Sequence, residues 1–116
     1  MITENKKISK MVDELVTFYL ERDGKNIRLE IKQKPEGLYI ISSGQNLNIS
    51  KEELDRLEHT INTQNREAEL EEYYWTLAGD RHSSEELSLI AVMVDTAGVS
   101  YDLDSDIVHI SLFRKE

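Results

Sequence analysis

The sequence predicts an α+β domain: a two-layer α/β sandwich in which a mixed, mostly antiparallel four-stranded sheet carries helices on one face, in the order αββααββ. Three observations predict it. Apolar residues alternate in two separated pairs of short runs, Ile27, Leu29 and Ile31 before Leu38–Ser42, then Val99, Tyr101 and Leu103 before Val108, Ile110 and Leu112. That is the period of strands covered on one side. Each pair is joined by turn-forming residues, Lys34-Pro35-Glu36-Gly37 in the first and Asp104-Ser105 in the second, so each reads as a hairpin. Before and between the hairpins, apolar residues recur at spacings of three and four, the mark of amphipathic helices. At 116 residues the chain is long enough for one core and too short for two, so residues 1–116 are expected to form a single domain.

The first helix is expected at residues 5–22, where Ile8, Met11, Val12, Leu15, Val16, Tyr19 and Leu20 share a face and Asp23-Gly24 closes it. Strands follow at 26–33 and 38–43, then a polar connection, Gly44-Gln45-Asn46-Leu47-Asn48, with Gly44 as a breaker. Ser50 and Glu53 form a capping box that opens a long helix, with Leu54, Leu57, Ile61, Ala68 and Trp75 on its stripe. Its middle, residues 62–66, is polar and predicts a kink or break; residues 67–79 regain helical propensity, and Gly79 ends them. A second capping box, Ser83 and Glu86, heads a helix running to Ala97 and closed by Gly98. That helix is apolar on nearly every side and is expected to be sandwiched, with Asp95 solvated near its end.

Composition narrows the function classes. A net charge of −9, from 23 acids against 14 bases, argues against nucleic acid, whose affinity comes from Lys and Arg, and against docking on anionic membranes. With no cysteine there is no disulfide, no zinc thiolate site and no cysteine nucleophile, which fits a reducing compartment. The N-terminal MITENKKISK lacks the apolar centre of a signal peptide, and no apolar run is long enough to span a bilayer, so a cytoplasmic protein is expected.

No catalytic or metal-ligating set emerges. His59, His82 and His109 have no second histidine at ligand spacing; His59 reads as solvated on a polar helix face and His109 as outward on the last strand. Asp102, Asp104 and Asp106 match the first half of a calcium loop. Ile107 and Phe113 stand where its turn glycine and closing Glu belong, so these acids read as a hairpin turn. Tyr73, Tyr74 and Trp75 are consecutive on a helix, about 100° apart, so they cannot all face one core. They are candidate partner-binding residues, as Tyr and Trp favour interface centres; half-buried edge packing is the equal alternative.

The element order and several local patterns resemble the ATP-binding domain of histidine kinases, anti-sigma-factor kinases, gyrase B and related ATPases, the GHKL superfamily. Glu14-Leu15-Val16-Thr17-Phe18-Tyr19 is similar to the family's E-L-V-T-N-A setting on the first helix. Leu38–Gly44 occupies the place of the strand ending in the adenine-binding Asp and a glycine turn. Glu86-Leu87-Ser88-Leu89 stands at the glycine-rich G-L-G-L turn that enters a helix. The resemblance implies an ATP and Mg²⁺ site, and the departures imply its loss. Phe18 replaces the Mg²⁺-holding Asn and offers a hard cation no oxygen. Ser42 replaces the adenine-binding Asp, and Glu86 and Ser88 replace the glycines that approach the phosphates. Glu86 also brings negative charge where a triphosphate needs the opposite. Of the site only Glu14 and Gly44 remain. The lid region carries a capped, charge-laced helical stretch, residues 50–77, with almost no glycine. The expectation is therefore a non-catalytic regulatory or protein-interaction domain. It would have no cofactor, a protein partner and a homodimer through the long central helix. The alternative is an ATP-binding anti-sigma-like protein kinase with a remodelled pocket; a third reading is a small-molecule sensor using the vacated cavity.

Overall fold

The computed structural model describes residues 3–63 and 87–115. In chain order these form α1 (Glu4–Glu21), β1 (Lys25–Lys34), β2 (Gly37–Gln45), α2 (Lys51–Thr63), α3 (Ser88–Met93), β3 (Thr96–Asp102) and β4 (Ile107–Lys115). The fold is α+β, with three helices among the described residues and a four-stranded sheet in the order β1-β2-β4-β3. Among the described residues every pairing is antiparallel, which corrects the expectation of a mixed sheet. The two hairpins meet with β4 beside β2 and running antiparallel to it, Ser42 opposite Ile110.

Thr3 starts α1, its hydroxyl accepting a hydrogen bond from the Lys6 amide at 3.2 Å. The helix ends in a Schellman arrangement. The Gly24 amide donates to the Tyr19 carbonyl at 2.9 Å and the Asp23 amide to Leu20 at 3.1 Å. Asp23, not Gly24, takes the left-handed conformation (φ 60°). Gly24 is needed for a different reason: a Cβ there would lie 2.9 Å from the Tyr19 carbonyl oxygen. Ser50 caps α2 as expected, accepting from the Glu53 amide at 3.1 Å. Residues 64–86, which hold the predicted continuation of that helix and the second capping box, lie outside the described residues.

Two expectations at the C-terminal end are corrected. The predicted helix to Ala97 stops at Met93: Val94 is extended (φ −108°, ψ 155°), and Thr96, Ala97 and Gly98 belong to β3. Pairing with β4, where Ala97 lies opposite Leu112 and Gly98 opposite Ser111, outweighs the helical propensity of a short β-branched run. Asp95 is exposed yet ties this start to β4. Its amide donates to Phe113 O at 2.8 Å, and its carboxylate accepts from the Lys115 amide at 2.6 Å. Leu103, expected in a strand, lies in the turn and is 81 % exposed.

Leu38, Ile40, Ser42 and Gly44 of β2 and Val108, Ile110, Leu112 and Arg114 of β4 are buried on one face of the sheet. The apolar ones join one core with Met11, Leu15, Phe18 and Tyr19 of α1, Leu54 and Ile61 of α2, and Leu89, Ile90, Val92 and Met93 of α3. The full burial expected for α3 holds for Leu89 to Met93. β1 is less covered: Ile27 and Leu29 are half-buried and Ile31 is 48 % exposed, although Ile31 lies opposite buried Ile40. Among the described residues no helix is long and apolar enough to cross a membrane.

Candidate functional site

Phe18 on α1 and Ser42 and Gly44 on β2 come together at Tyr19. One helical turn separates Glu14 from Phe18, and one turn separates Leu15 from Tyr19. Tyr19 points its ring across β2. Two residues apart on that strand, Ser42 and Gly44 make room for it. A Cβ on Gly44 would fall 2.5 Å from Tyr19 Cδ1, so only glycine accommodates the ring. This corrects the reading of Gly44 as a breaker after the strand: it lies inside β2, buried, opposite Val108.

Ser42 donates its hydroxyl proton to the Ile110 carbonyl at 2.8 Å. Its Oγ lies 2.8 Å from the Tyr19 hydroxyl. Because Ser42 has already given its one proton, Tyr19 donates in this second bond. Both hydroxyls are thus satisfied inside the core. Burial pushes the Tyr19 phenol up to about 12.

Phe18 is buried edge-on to Tyr19, ring centroids 5.5 Å apart. The Arg22 guanidinium lies over the Phe18 ring, 4.3 Å from the centroid. Burial draws the Arg22 pKa down, while the charges of Glu53 and Glu21 oppose it. Glu14 is half-buried one turn before Phe18. Burial raises its carboxyl above the usual range, Lys10 opposes, and Asp13 and Glu21 add to the rise. Leu87, also buried, adopts a left-handed backbone (φ 57°) just before α3, a conformation that costs a non-glycine residue about 1 kcal/mol.

The structure therefore gathers Phe18, Ser42 and Gly44 around one tyrosine. Ser88 begins α3; Glu86 and the candidate partner residues Tyr73, Tyr74 and Trp75 lie outside the described residues, as does His82. Tyr19 is the site residue that sequence reasoning missed, having counted it only as part of an apolar stripe. The available signal was the taper Leu38, Ile40, Ser42, Gly44 on the buried face of β2: small residues at the end of such a row leave space that a large opposing side chain fills.

Chemically the arrangement fits neither Mg²⁺ nor adenine. Phe18 offers a hard cation no oxygen, and the Ser42 hydroxyl is spent on Tyr19 and Ile110 within the core. Among the described residues no cluster of three or more His, Asp or Glu could hold a metal ion. His59 and His109 are exposed. No family model, curated protein or solved structure matches the chain.

Proposed function

We propose that the protein is a non-catalytic regulatory or protein-interaction domain, an α/β sandwich related to the histidine-kinase ATPase fold whose nucleotide site has been lost. The observation that carries this reading is the chain of hydrogen bonds from Tyr19 through Ser42 to Ile110, 2.8 Å at each step, with Phe18 packed beside it. It occupies the polar capacity that an adenine amino group would need. A cytoplasmic setting accords with the lack of cysteine.

A thermal-shift titration with ATP and Mg²⁺ tests the reading. Ligand that binds only the folded state raises stability by mass action, about 2.7 kcal/mol at a hundredfold excess over Kd. The melting temperature is expected to stay unchanged up to millimolar nucleotide. A saturable rise would establish the rival reading, an ATP-binding kinase with a remodelled pocket.

A further inference from the structure

The two ends of the sheet are treated differently. At one end the outward backbone of β3 is covered by α2. Asn62 donates to Ala97 O and accepts from the Ala97 amide, both at 2.9 Å, and the Glu58 carboxylate accepts from the Val99 amide at 2.9 Å. At the other end, β1 has a sheet neighbour on one side only among the described residues. Its core-facing row, Ile27, Leu29 and Ile31, remains partly exposed. Its other face alternates Arg28, Glu30, Lys32 and Lys34, all exposed.

We propose that β1 is a homodimer edge: two copies pair β1 to β1, antiparallel, about a two-fold axis at Leu29. Residues directly opposite in an antiparallel pair share a face, so the possible registers can be compared by the charges they oppose. With the axis at Leu29, Arg28 lies opposite Glu30 of the partner subunit, twice by symmetry. Ile27 lies opposite the partner's Ile31, and Leu29 meets itself. Lys32 faces the partner's Asn26, so no like charges meet. The neighbouring registers are worse. An axis at Arg28, Glu30 or Lys32 sets that charge against its own copy, and an axis at Ile31 sets Lys34 against Arg28 of the partner subunit. An axis at Ile27 would centre the ladder on an irregular stretch of the strand.

That irregularity also defines the length of the ladder. Pairing of β1 with β2 shifts register between Lys25 and Arg28, and Asn26 is left-handed (φ 50°). This bulge ends the straight part of the strand. The self-pairing run is therefore Ile27–Ile31, and it covers the apolar row that the helices leave exposed. The sheets of both copies become continuous, and the interface is isologous. The proposal gives the interaction-domain reading a partner, a second copy of this chain, and rests on that reading only for its biological meaning. Mass and nucleotide melting are separate readouts, so each fails on its own.

Light scattering and sedimentation of the full chain, from low micromolar to about 1 mM, provide the test. The wild type is expected to rise from monomer to dimer mass. Glu30→Lys and Arg28→Glu, both at exposed positions, should each weaken association at least about tenfold, with unchanged circular dichroism. An equimolar mixture of the two variants should associate again, because the two acids at positions 28 and 30 of Arg28→Glu then face the two bases at those positions of Glu30→Lys. The double swap in one chain should likewise restore dimers. A wild type that stays monomeric overturns the proposal. So does a dimer indifferent to Glu30→Lys, or single defects that neither the mixture nor the double swap repairs.

Discussion

Tyr19 shows how one side chain can fill a core and tie its layers together. Its ring lies against Gly44 and its hydroxyl reaches Ser42, which in turn is tied to the β4 backbone at Ile110. Tyr19→Phe keeps the ring and removes the donor, leaving Ser42 with an unfilled acceptor in the core. The expected loss is about 1 kcal/mol, read from the midpoint of urea unfolding. The pH dependence has a definite sign. The folded-state pKa of about 12 lies above the ordinary value of 10.0, so the contribution is fully present below pH 10. It is lost as pH rises toward 12, because the unfolded chain ionises first. Two pKa units correspond to about 3 kcal/mol. Unfolding free energy of the wild type should therefore fall steeply between pH 10 and 12, and Tyr19→Phe should remove that component of the fall.

At the scale of elements, α2 acts as the last member of the sheet without being a strand. Asn62 presents a primary amide, with the donor and acceptor of a peptide group, to Ala97, and Glu58 receives the next inward amide at Val99. An exposed strand edge is a template for unwanted pairing, and two side chains one helical turn apart cover this one. Asn62→Ala should cost about 1 kcal/mol and accelerate hydrogen exchange at the Ala97 amide, while amides of β2, between its two strand neighbours, exchange as before. The same edge explains why α3 is short. Once β3 has β4 on one side and α2 on the other, residues 96–98 gain more hydrogen-bonded partners as strand than as a further helical turn.

Across the whole molecule, Arg114 closes the fold. It is 3 % exposed and donates through Nε and Nη2 to the Glu4 carboxylate at 2.7 and 3.1 Å, and through Nη1 to Met93 O at 2.6 Å. The last strand, the first turn of α1 and the end of α3 are thereby joined at one guanidinium, whose planar fork suits two acceptors at once. Breaking such a set from either side has unequal effects. Glu4 is over half exposed, so Glu4→Gln keeps a hydrogen-bonding partner and should cost about 1 kcal/mol. Arg114→Ala removes every bond and leaves a cavity, for about 3 kcal/mol. Chemical denaturation of the two variants checks that order, and equal losses would mean that Glu4 carries the contact alone.

Local chemistry was enough to read the elements at both hairpins, the Ser50 cap and the end of α1 near Asp23, because alternation, turn residues and capping oxygens act over a few residues. The chemistry of Phe18 was legible for the same reason: it lacks an oxygen wherever it is placed. What surrounds Tyr19 was decided by tertiary structure alone, since α1, the Ser42–Gly44 stretch of β2 and Ile110 of β4 are far apart in sequence and meet only when α1 lies across β2. The end of α3 and the strand role of Gly98 were likewise settled by pairing with β4. A helical pattern in sequence records propensity, which is worth tenths of a kcal/mol per residue, whereas a sheet partner supplies backbone hydrogen bonds and burial together.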